Sequence, residues 1–322
     1  MSNIGKLIGV LTVLAGLTTA PGCEKKNAQQ PALNICDTVQ QGDAAGLRAL
    51  LAEKPELVET TDNNGRSLLH RVCSEGQAQL VDVLLLKKAH VDARDNNGIT
   101  ALHLAAGKGH RDVVELLIRH GALVNGKDNE GNSALHSAAR YGQTDVIEAL
   151  LANGGYVNER NRRGCTALHL AVYEGHKRTA EFLLDKGADV NARTGSVDTV
   201  LHAAAARGHT DVVELLLKRG AQVDVRQLHG KTPLHEAAYE GHAAVVELLI
   251  DHGAEPNSRD RLGFTPLHWA ADNGHKEVVQ LLIDKAADVN SSDNSGRTPL
   301  YWALDNNRTE VAELLRKHGA AK

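Results

Sequence analysis

One histidine recurs at a fixed interval. His70, His103, His136, His169, His202, His235 and His268 stand 33 residues apart, and Tyr301 takes the next step. The residues before them keep the same register, as in Thr100-Ala-Leu-His, Thr166-Ala-Leu-His, Thr232-Pro-Leu-His and Thr298-Pro-Leu-Tyr. One step back lies Asn34-Ile-Cys-Asp, a degenerate ninth copy. Eight registers in a row exclude coincidence, and a period of this size marks an array of small units. Such a chain does not wrap one central core, because each unit buries its apolar face against its neighbours. Aromatic residues make up only 3% of the chain against 42% hydrophobic, which suits thin layers of Ala, Leu and Val rather than one large core.

Each unit carries its own stop and start signals. Thr or Ser is a good N-cap, and Pro is favoured at the first helical position, where its missing N–H does no harm. A short Ala-rich helix is predicted over residues 102–108, then a turn at Gly109-His110. A second helix over 112–120 places Val113, Leu116 and Leu117 on one face. Gly121 supplies a left-handed cap, as do Gly154, Gly187, Gly220 and Gly253. An extended stretch then runs into the tight turn Asp128-Asn-Glu-Gly. Lys88 and Ala286 occupy the capping-Gly position, so their repeats are expected to be locally less stable. Val197 replaces the turn Gly, and a remodelled turn is expected there.

These boxes and their period resemble the ankyrin-repeat family, whose unit is a β-turn finger followed by two antiparallel helices. The resemblance covers residues 34–322 and implies an all-α repeat solenoid of about nine units with degenerate caps. It also implies a non-catalytic scaffold that binds a protein partner, as a monomer, on a concave groove of fingers and first helices. An inhibitory domain that blocks an enzyme or toxin is the alternative. In the last copy Arg316, Lys317 and His318 give the polar outer face that a terminal repeat needs.

Residues 1–22 read as an export signal. Lys6 precedes an apolar stretch, Leu7 to Ala20, that is too short to span a bilayer comfortably. Gly22-Cys23 followed by Glu24-Lys25-Lys26 resembles a bacterial lipoprotein signal, which implies lipid attachment at Cys23 and a linker over 23–33. Ala20 and Pro21 depart from the usual pattern, and an ordinary cleaved signal or an uncleaved anchor are the alternatives. Each of the three places the array outside the cytoplasm, with the lipid form on the periplasmic side of a membrane.

The chemistry-bearing residues favour binding over catalysis. Seventeen histidines invite a metal reading, but the box histidines lie one per layer, and packed helices stand about 8–10 Å apart. Zinc ligands must lie about 2.0–2.1 Å from the ion, so neither this set nor His110, His176, His209, His242 and His275 is expected to chelate. No nucleotide-binding, nucleophile-elbow or zinc-protease string occurs, and no cofactor is expected. The four cysteines show no CxxC spacing; Cys36 and Cys73 fall at apolar helix positions, as buried thiols or as a disulfide. A net charge of -4 gives no global case for nucleic acid.

Function in a repeat array lives at positions the stack does not dictate. Arg94, Lys127, Arg160, Arg193, Arg226, Arg259 and Ser292 close successive units. Asp95, Asp128, Asp260 and Asp293 follow the outer ones, whereas Asn161, Thr194 and Gln227 follow the central three. With Arg162, Arg163, Arg207 and Lys231 nearby, the centre is positive and poor in carboxylates, only partly offset by Glu159 and Asp198, which points to a partner carrying acidic groups. Tyr141, Tyr173 and Tyr239 near the ends of first helices, with Phe264 on a finger, are the expected aromatic anchors, since Tyr and Arg recur at interface hot spots.

Overall fold

The computed structural model describes residues 35–321; the signal-like segment 1–22, Cys23 and the linker 23–33 lie outside the described residues. The described chain forms eighteen α-helices and one 3-10 turn, with no strand beyond two isolated bridges, Thr61 to Ser67 and Arg193 to Thr199. It divides into two compact units, 35–170 and 171–321, with the boundary inside the helix Ala167–Tyr173.

The box histidine explains where the first helices of seven repeats start. In Thr100-Ala-Leu-His, the Thr100 amide and hydroxyl both approach His103 Nδ1, at 3.3 and 2.8 Å. Nδ1 is therefore the bare nitrogen, and Nε2–H donates to the Asn132 carbonyl at 3.0 Å. The ring thus closes a capping box and ties its unit to the start of the next. His70, His136, His202, His235 and His268 repeat the pattern with Ile99, Cys165, Lys231, Phe264 and Arg297. The second set also has a structural use: His110, His209, His242 and His275 donate from Nε2 to carbonyls of the preceding first helix. A Cβ on Gly241 would stand 2.5 Å from His275 Nδ1, so this Gly-His turn needs its glycine for space as well as for φ.

The apolar spacing does what it implies. In the helix Arg111–Arg119, Val113, Val114 and Leu117 are fully buried, each worth about 1.5–3 kcal/mol of transfer free energy. Ala105, Ala106, Ala138 and Ala139 are buried too, which lets first helices approach closely. Ile35–Gln40 and Ala44–Glu53 form the helix pair of the degenerate first copy. The Cys36 side chain lies outside the described residues, and Cys73 is a buried free thiol whose burial pushes its pKa up.

Three residues sit in the left-handed region against expectation from their type. Lys88 and Ala286, at φ 65°, keep the helix-ending geometry of the glycines they replace. Val197, at φ 67°, does the same in its finger. The expected remodelling there does not occur: Thr194 and Asp198 still close the turn, with Thr194 N–H donating to the Asp198 carbonyl at 2.8 Å. The backbone turn is thus kept with a β-branched residue in the left-handed region, where such residues are outliers.

Candidate interaction surface

The closing basic residues serve partly as staples. Lys127 Nζ reaches the Arg160 carbonyl at 3.4 Å and pairs with Glu159. Arg226 Nη1 donates to the Gly230 carbonyl at 3.0 Å and also to the Arg259 carbonyl. Arg259 Nη1 donates to the Ser292 carbonyl at 2.6 Å, and Arg160 Nε to the Gly164 carbonyl at 3.1 Å. A long donor at this position spans its own turn or reaches the next finger, which is a structural reason for a basic ladder.

The residue after each one is a turn acceptor. Asp128 Oδ1 takes the amides of Glu130 and Asn132, and Asn161 Oδ1 takes those of Arg163 and Cys165. Gln227 Oε1 accepts the His229 amide. Asn and Gln thus keep the turn bond while removing the negative charge. In the unit 171–321, Arg193, Arg226, Arg259 and Arg261 are exposed and, among the described residues, form no ion pair. By contrast Lys127, in the unit 35–170, pairs with Glu159, and Arg297, in the unit 171–321, pairs with Asp293 at 3.0 Å.

Two expected contact residues are not at the surface. Phe264 is 5% exposed, lying between Trp269 and Trp302 with ring centroids 4.8 and 5.0 Å away. Lys231 is 9% exposed, its ammonium 3.9 Å from the Trp269 centroid and 4.7 Å from that of Tyr239. Its other neighbour is Glu236, at 4.0 Å. Burial raises the Glu236 pKa and Lys231 partly offsets this; Gln227 Nε2 donates to Oε1 at 3.4 Å, and Oε2 has no partner among the described residues.

The remaining expected residues are accessible. Tyr173 is half-buried under Arg207, 4.7 Å from its ring centroid, and Tyr239 is half-buried against Trp269. Tyr141 is exposed in the unit 35–170, as are Arg160 and Arg162, while Arg163 is half-buried and 3.9 Å from Glu130. The sequence reading missed Trp269, Trp302 and Arg297. Both indole N–H groups donate to finger carboxylates, Trp269 to Asp260 at 3.0 Å and Trp302 to Asp293 at 3.1 Å. Arg297 stacks 4.2 Å from the Trp302 centroid. The signal was present, since the chain's only two tryptophans each follow the box position, 33 residues apart.

A cleft of about 410 Å³ opens between the fingers of this unit, lined by Val197, Leu228, Arg226, Arg259 and Arg261 among others. Among the described residues no group of three His, Cys, Asp or Glu is placed to hold a metal ion. No described helix is long and apolar enough to cross a membrane.

A family profile described as ankyrin repeats (3 copies) matches residues 35–128, 122–194, 195–260 and 255–322. The chain belongs to the ankyrin-repeat family, whose arrays generally mediate protein–protein interaction and are typically non-catalytic. No curated protein sequence matches it.

Proposed function

We propose that the chain is an exported, membrane-tethered scaffold that holds an acidic protein partner on the fingers and first helices of its second unit. The observation that carries this is the group Arg193, Arg226, Arg259 and Arg261, exposed and forming no ion pair among the described residues. Unpaired like charges do not stabilise a fold, whereas they steer an acidic partner and raise its association rate. Tyr173 and Tyr239, half-buried beside cations, supply rigid apolar area on the same unit. The tether is Cys23, which the lipoprotein-like signal would leave as the acylated first residue of a monomeric mature chain. Photo-crosslinking in the intact envelope tests the reading. A photoreactive residue at Tyr173 or Arg193 should capture a protein, and one at Glu181 or Glu247 on second helices should not. Capture from all four positions, or from none, overturns it.

A further inference from the structure

We infer that the cleft between the fingers at 194–198, 227–231 and 260–264 docks an extended acidic segment of a protein that also carries an apolar side chain. This rests on the protein-binding reading above and gives it a place and a chemistry. Arg226, Arg259 and Arg261 would meet the carboxylates, and Val197 and Leu228 the apolar group.

Val197 is the residue that points furthest. Seven other fingers have glycine at this position, among them Gly131, Gly164 and Gly230 at φ 80°, 77° and 80°. A Cβ on Gly131 or Gly230 would stand 2.8 or 3.0 Å from the amide nitrogen of the next finger. Val197 carries two further methyl groups there, in backbone that β-branched residues avoid. The Leu228 amide that faces it reaches the Ser196 carbonyl at 3.2 Å, against 2.9–3.0 Å in the other such finger pairs. The fold gains nothing from valine here, and strained residues that persist beside a cavity are associated with binding. Leu228, across the same cleft, is 46% exposed, where its equivalents include Asn96, Asn129, Arg261 and Asn294. Two apolar side chains therefore stand where the array otherwise places glycine and polar groups.

The charge is equally specific. Asp260 lines the cleft, but its oxygens are engaged. Oδ1 takes the Leu262 and Phe264 amides at 2.9 Å each, and Oδ2 takes the Trp269 indole. Arg226 and Arg259 commit part of each guanidinium to backbone or Asn294, and Arg261 commits none of its own among the described residues. Free guanidinium edges bind carboxylates with charge-assisted, often paired hydrogen bonds. A nucleic-acid phosphate would meet the arginines as well, yet it offers nothing to Val197 and Leu228, which favours the peptide.

The test uses the full chain and a short labelled peptide of alternating Glu and Leu, read by fluorescence anisotropy. Binding should weaken with salt, and Arg261→Glu should weaken it by about tenfold or more. Val197→Gly should separate fold from function: its melting temperature should rise by roughly 2–4 °C, while peptide affinity falls several-fold. A Val197→Gly protein that is no more stable, or that binds the peptide as wild type does, overturns the proposal. So does equal binding of a Lys-Leu peptide, or tighter binding of a single-stranded oligonucleotide. If the peptide fails while a photoreactive residue at Tyr173 still captures a protein, the cleft proposal falls and the scaffold reading stands.

Discussion

The ammonium of Lys231 lies 3.9 Å from the centroid of the Trp269 ring, and this contact turns an expected surface charge into an interior one. A desolvated cation over a ring is worth about 2 kcal/mol, and here it also faces the nearly inaccessible carboxyl of Glu236 at 4.0 Å. Lys231→Ala should therefore destabilise the chain by ~3 kcal/mol, because it leaves a buried carboxyl without its cation. The loss should depend on pH. Burial already holds the Glu236 pKa above its ordinary value, and removing Lys231 raises it further. A carboxyl whose folded pKa is raised lowers stability as pH climbs above the unfolded value of 4.5. Urea melts should show a larger deficit at pH 7 than at pH 5. The double variant Lys231→Met/Glu236→Leu should recover to within ~1 kcal/mol of wild type.

Ala286→Gly should stabilise the chain by about 0.5–1 kcal/mol. Ala286 holds φ 65° at a position where a Cβ added to Gly121, Gly187 or Gly253 would meet only open space, so the strain is in the backbone alone. The gain is reduced by the greater unfolded-state entropy of glycine. A urea midpoint that stays put or falls would contradict it.

The histidine ladder should make the fold acid-sensitive. Burial lowers the pKa of His136 to about 4 and of His235 to about 3, with backbone hydrogen bonds only partly opposing it. His70, His103, His202 and His268 are shifted the same way by the same cause. These groups are neutral when folded, so their full stability is present above the unfolded value of 6.5. It is lost as pH falls from 6.5 toward the folded values, at up to about 1.4 kcal/mol per pH unit for each histidine. Melting temperature measured from pH 7 to pH 4.5 should drop steeply. A flat profile would mean the rings are solvated.

Much of this was legible in the sequence because it is set within one repeat. The Thr/Ser-x-x-His capping box, the left-handed slot at Ala286 and the Leu and Val faces each depend on residues a few positions apart. What was missed depends on contacts between repeats. Lys231 reads as a basic surface residue until Trp269, one repeat on, is seen to lie beneath it. Phe264 reads as a fingertip until two tryptophans enclose it. Arg226 reads as free charge until the next finger's carbonyl accepts from it. Val197 reads as altering its turn, whereas the turn keeps its backbone hydrogen bonds and places the residue at φ 67°.

Mass spectrometry of the mature N-terminus checks the tether. A first residue at Cys23 bearing acyl chains is expected, and Cys23→Ser should release the protein from membranes. An unmodified Cys23, or cleavage elsewhere, would contradict the lipid attachment and leave an ordinary exported array.

The association rate of the captured partner tests the central claim most directly. It should be measured for wild type and Arg193→Glu/Arg261→Glu at low and at physiological salt. Both side chains are exposed and neither guanidinium bonds to a described residue, so the fold should be kept, unlike a reversal of Arg226 or Arg160. The double reversal is expected to slow association by about tenfold at low salt and to flatten its salt dependence, with dissociation little changed. Association as fast as wild type at low salt would contradict the claim that this basic face receives the partner.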